Sequence, residues 1–144
     1  MHRLRENFES ENLFKKINLL NEEEIVKINK GLEWTARNAP NAVLIGGTAT
    51  IHYISNAREL TPDIDFIVGD IGSIKTKLSV DSIKYQPLNV GYTLGVTVPL
   101  FNTDYLDASV GNTKLNRLIL STSNTALIGG IKVKIINPEL LSTP

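Results

Sequence analysis

The stretch from Asn41 to Val68 reads NAVLIGGTATIHYISNARELTPDIDFIV: an apolar run and a glycine pair, then a pair of aspartates leading into the closing apolar run Phe66-Ile67-Val68. Ala42-Val43-Leu44-Ile45 is short, aliphatic and bounded by Pro40 and Gly46-Gly47, which predicts a buried strand. The glycine pair ends that strand and lets backbone come close to a partner. Thr48 is suited to cap a helix over Ala49–Asn56. Pro62 excludes a helix interior, and Asp63–Val68 reads as a second strand.

In an extended segment, residues two apart share a face, so Asp63 and Asp65 lie side by side while Ile64 turns into the core. Carboxylates that close repel, and Asp is a poor strand former. A bound cation makes the arrangement tolerable, and hard oxygen ligands on a rigid element suit Mg²⁺ or Mn²⁺. The glycine pair offers backbone N–H groups and a helix N-terminus, which suit a phosphate. Phosphate, paired carboxylates and a divalent ion together are the toolkit of phosphoryl or nucleotidyl transfer.

Gly46-Gly47-Thr48, a spacer and then Asp63-Ile64-Asp65 resembles the signature of the polymerase-β-like nucleotidyltransferase superfamily, a Gly-Gly/Ser pair followed by a hydrophobic-flanked Asp-x-Asp. With Ala49, His52, Arg58 and Thr61 included, the stretch is similar to the branch holding abortive-infection-type nucleotidyltransferase toxins. Either half alone is a weak signal; both halves on a strand–helix–strand unit are far more specific. The resemblance covers Val43–Val68 and reaches Tyr105–Val110. It implies that Gly46, Gly47, Thr48 and Arg58 bind the phosphates of a nucleoside triphosphate and that Asp63 and Asp65 hold Mg²⁺ or Mn²⁺. It also implies a third carboxylate on a later strand, which completes the metal site and activates the acceptor hydroxyl. Asp107, between Leu106 and Ala108, matches that position best; Asp104 is the competitor, and after Asn102-Thr103 it reads more easily as a turn residue. The acceptor implied is RNA, a protein side chain or a small molecule, and a toxin of this branch implies a cognate antitoxin protein as partner. The rival reading is a binding or regulatory module that keeps the fold without turnover.

The 144 residues suffice for one domain with a real core, and 42% hydrophobic with 21% charged residues is ordinary for a globular protein. Lys+Arg and Asp+Glu balance at 15 each, so net charge gives no push toward nucleic acid or anionic lipid. Cysteine is absent, which removes disulfides, thiolate metal sites and cysteine nucleophiles. No apolar run is long enough to span a bilayer and MHRLRENFES lacks a signal-peptide core, so the expectation is a cytoplasmic protein with no membrane partner.

Outward from the central stretch, Leu13, Phe14, Ile17 and Leu20 predict an amphipathic helix over residues 10–20. Asn21 with Glu24 predicts a capping box for a second helix, with Ile25, Ile28 and Leu32 inward, Trp34 on a flank and Gly31 at a kink or close contact. Glu22-Glu23-Glu24 suits the positive end of that helix better than it suits a metal. His52 reads as a packed helix residue, and Arg58 has Glu59 as an alternative partner to phosphate. Ser73 is suited to cap a short helix through Leu78 that exposes Lys75 and Lys77. Tyr92–Val98 reads as a strand; Leu115–Leu120 is compatible with a strand or a short helix. Ala126–Ile136 reads as a hairpin turning at Gly129-Gly130, its Lys132 and Lys134 guarding a sheet edge. Asn137-Pro138 opens a last helix. Relatives usually continue with further helices, so the short ending reads as a minimal member, a truncated chain or a homodimer that completes its pocket. The fold expected is α+β: a mixed, mostly antiparallel sheet with helices packed mainly on one side.

Overall fold

The computed structural model describes residues 21–53, 63–90 and 93–141. Along them run α1 (Glu22–Asn38), β1 (Val43–Ile45), α2 (Gly46–Tyr53), β2 (Ile64–Val68), α3 (Ile71–Val80), β3 (Gln86–Val90) and β4 (Thr93–Val98). A 3-10 turn (Pro99–Phe101), β5 (Thr103–Asp107), α4 (Thr113–Ser121), β6 (Asn124–Ile128), β7 (Ile131–Ile135) and α5 (Pro138–Leu141) follow. The helix expected over residues 10–20, Arg58, Thr61 and any continuation of α2 toward Asn56 lie outside the described residues.

The strands form one seven-stranded sheet in the order β3-β4-β5-β2-β1-β7-β6. The β1–β7 and β2–β5 pairs are parallel and the remaining pairs antiparallel, which is the mixed, mostly antiparallel α+β arrangement expected. Local chemistry explains the element ends. Asn21 Oδ1 accepts from the Glu24 N–H at 2.8 Å and Glu24 accepts from the Asn21 N–H, a complete capping box. Asp70, not Ser73, caps α3: its carboxylate accepts from the Gly72 and Ser73 N–H groups. Residues 115–120 belong to a helix, started by Asn112 accepting from the Leu115 N–H. Gly129 and Gly130 both have positive φ, 58° and 81°, as a tight two-residue hairpin turn requires.

Strand register separates two sheet faces. Leu44, Phe66, Tyr105 and Ile135 share one face; Val43, Ile67, Leu106 and Lys134 share the other. α1 packs on the first. Trp34 meets Phe101 and Tyr105 at ring distances of 5.9 and 6.0 Å, and Thr35 Oγ1 hydrogen-bonds Tyr105 Oη at 2.5 Å. Trp34 is thus buried rather than flanking, and its Nε1 donates to Asp81 at 2.8 Å, tying the end of α3 to α1. The Lys77 ammonium, expected in solvent, donates to the Asn38 carbonyl in the same seam. Gly31 is a close contact: a Cβ there would meet Thr103 Oγ1 at 2.8 Å and Phe101 Cβ at 2.9 Å.

The helices were expected mainly on one side of the sheet, and the second face is covered as well. Val43 and Ile67, on the second face, are 0% and 4% exposed, so that face is covered too. The β2-to-β3 and β5-to-β6 connections join parallel strands and step across the sheet in opposite directions. Right-handed crossovers then put α3 and α4 on opposite faces, and α4 touches β2 on its way. Lys132 and Lys134 do not guard an edge either: β7 is internal, β3 and β6 are the edges, and Lys134 Nζ donates to Asn41 Oδ1 at 3.0 Å.

Candidate functional site

β1 ends at Ile45 and α2 begins at Gly46, whose φ of +74° turns the chain from strand to helix with no connecting loop. Thr48 therefore lies in the first turn of α2 rather than at the cap expected for it. It is buried, and its hydroxyl donates to the Asp63 carbonyl at 3.4 Å. That contact brings the segment entering β2 against the start of α2, with Asp63 exposed just before the strand.

The antiparallel β1–β2 register sets Asp65 opposite Ile45. A Cβ built on Gly46 would stand 2.8 Å from Asp65 Oδ2, so the carboxylate occupies the space that the missing side chain leaves. The glycine corner and the second aspartate of the Asp-x-Asp pair are therefore in contact, and Ile64 and Phe66 on either side of Asp65 are buried at 1% and 0% exposure.

Register also separates the two aspartates of β5. In the parallel β2–β5 pair Asp65 is opposite Asp104, whereas Asp107 is opposite Val68. Asp107 is three residues along β5 from Asp104, so it faces the other side of the sheet, about 10 Å further down the strand. Its carboxylate closes β5, accepting from the Ser109 N–H at 2.9 Å and Oγ at 2.7 Å. Register thus places Asp104, and not the expected Asp107, beside Asp65. The turn that made Asp104 look like a loop residue is made by Asn102, at φ +48°, and β5 has already begun at Thr103.

One cross-strand row results: Gln86, Thr97, Asp104, Asp65 and Ile45 lie opposite one another over β3, β4, β5, β2 and β1. Asp65 and Asp104 are half-buried neighbours at the interstrand spacing of about 4.8 Å. Thr97 Oγ1 donates to Asp104 Oδ1 at 2.8 Å. Thr97 carried no signal in the sequence: a threonine in a strand is ordinary, and its role depends on a pairing that spacing does not encode. His52, on α2, packs edge-on against Tyr53 at 4.6 Å, and burial lowers its pKa below 6.5.

Among the described residues no group of three or more His, Asp or Glu side chains converges. Two neighbouring carboxylates still suit Mg²⁺, which keeps several waters and is commonly held by one or two carboxylates together with substrate phosphates. The contact of the Gly46 corner with Asp65, made possible by the missing Cβ, fits that arrangement. A cavity of about 540 Å³ lies at the other end of β1, lined by Ala36, Ala39, Ala42, Lys132 and Lys134 among others. It is lined by no carboxylate or imidazole, and the chemistry of the side chains selects the Gly46 corner instead. No helix among the described residues is long and apolar enough to cross a membrane. Comparison of the chain with family models, curated proteins and solved structures gave no match.

Proposed function

We propose that this chain is a Mg²⁺- or Mn²⁺-dependent nucleotidyltransferase, moving a nucleotide from a nucleoside triphosphate to a hydroxyl acceptor. The contact between the Gly46 corner and Asp65, with Asp104 on the adjoining strand, carries the reading. The N–H groups of Gly46, Gly47 and Thr48 at the start of α2 bind phosphate oxygens. Asp65 and Asp104 are the metal ligands, with Asp63 beside them at the strand entrance. The bound ion supplies charge neutralisation on the triphosphate. Asp104 takes the acceptor proton as the hydroxyl oxygen bonds to the α-phosphorus and the bond to pyrophosphate breaks. Arg58 is proposed for the phosphates on the sequence pattern alone. RNA, protein and small molecules remain the acceptor classes, and a toxin role with an antitoxin partner belongs to the same proposal.

The test is calorimetric titration of Mn²⁺ with and without each triphosphate, alongside pyrophosphate release. Mn²⁺ is expected to bind weakly alone and strongly with nucleotide. Asp65→Asn and Asp104→Asn remove the nucleotide-dependent binding, and Asp107→Asn keeps it. Triphosphate that neither binds nor sharpens the Mn²⁺ isotherm refutes the reading. The rival reading is a nucleotide-binding module without turnover. Binding with no pyrophosphate release selects it.

A further inference from the structure

The row that holds the two carboxylates continues one strand outward. Thr97 is opposite Asp104 across the antiparallel β4–β5 pair, as Asp104 is opposite Asp65 across the parallel β2–β5 pair. The Thr97 hydroxyl donates to Oδ1 of Asp104, and both residues are half-buried. We propose that Thr97 is a positioning residue, whose hydroxyl holds Oδ1 of Asp104 and leaves Oδ2 as the oxygen offered to the divalent ion and the acceptor hydroxyl. This inference rests on the nucleotidyl-transfer reading of the site.

Three features suit Thr97 to the task. Its side chain is β-branched, so χ1 is stiff and the hydroxyl does not wander. Its backbone lies between β3 and β5, flanked by Val96 and Val98, which are both fully buried on the opposite face. Its donated proton falls on a carboxylate that has another carboxylate for a neighbour, where a donor offsets part of the repulsion between them. A lone aspartate on a strand samples several rotamers; one whose first oxygen is engaged on the β4 side presents a single arrangement to an incoming cation. Hydrogen-bond partners that orient a metal ligand commonly alter metal affinity by about 10–100-fold when removed.

The experiment measures Mn²⁺ affinity by calorimetry in the presence of non-hydrolysable analogues of ATP, GTP, CTP and UTP in turn, together with the thermal midpoint of the metal-free protein. Thr97→Val keeps the β-branch and loses the donor; Thr97→Ser keeps the donor. Thr97→Val is expected to weaken Mn²⁺ binding at least about 10-fold, and Thr97→Ser to restore it to within about twofold. Mn²⁺ affinity in Thr97→Val equal to that of the unmodified chain overturns the inference and leaves the nucleotidyl-transfer reading standing. Equal weakening in both variants overturns it as well, because shape and not the hydroxyl then matters. Failure of the unmodified chain to bind Mn²⁺ with any analogue removes the parent reading and this inference with it.

Discussion

Gly46 is asked for two things that no other residue supplies together. Its backbone sits at φ +74°, and its absent side chain leaves room for Asp65 Oδ2. Gly130 also has a positive φ, +81°, but a Cβ there meets nothing within 4 Å. The two glycines separate strain from collision. Gly130→Ala should lower stability by about 1–2 kcal/mol, the cost of a left-handed conformation. Gly46→Ala should lose more, and should also abolish nucleotide-dependent Mn²⁺ binding because the carboxylate is displaced. Denaturant unfolding with calorimetry on both variants checks this; equal losses of stability with metal binding intact in Gly46→Ala refute it. Tyr105 makes a second residue-level case. Burial raises its pKa above the ordinary 10.0, opposed by the Thr35 hydrogen bond. The folded chain keeps this proton while the unfolded chain begins to lose it near pH 10, so stability is intact below that pH and falls above it. Tyr105→Phe should remove that alkaline loss while costing about 1–3 kcal/mol at neutral pH, since Thr35 loses its buried partner. Measured unfolding curves with the same alkaline slope in both proteins would count against it.

At the scale of elements, what is local in cause was legible in the sequence. The capping box at Asn21 and Glu24, the strand–glycine–helix corner and the Gly129-Gly130 hairpin each depend on residues within a few positions of one another. Asn21→Ala should therefore lower stability by about 1 kcal/mol, read from the denaturation midpoint, and Asn21→Ser should recover most of it. The pairing of Asp104 with Asp65 was not legible for the opposite reason. Asp104 and Asp107 are alike in composition and differ in parity, and parity acquires meaning only when β5 takes its place beside β2. Residues 115–120 were ambiguous because a short aliphatic run carries no clear period; the Asn112 cap and the crossover to β6 decide for a helix. α2 has a pH signature of its own. Burial holds His52 below its ordinary pKa of 6.5, so the fold favours the neutral ring. Its contribution is present above pH 6.5 and is lost as pH falls through the lowered value. His52→Leu should flatten the acid limb of a plot of thermal midpoint against pH below about 6.5; an unchanged limb shows that other groups set it.

At the scale of the whole molecule, a single sheet with helices on both faces holds the corner rigidly, since β1, β2 and β5 are all internal strands. The connectivity that protects the site also governs how it comes into being. β3, β4 and β5 are neighbours in sequence and in the sheet, and can pair early. The internal strand β1 must instead find β7, joining residue 43 to residue 134, and β2 must find β5 across the whole β3–β4 hairpin. Such long closures slow folding. Refolding after a denaturant jump should therefore show backbone protection in the β3–β4–β5 meander well before the Gly46 corner is born, so that a newly made chain passes through a stage with its outer wing built and its chemistry still unassembled.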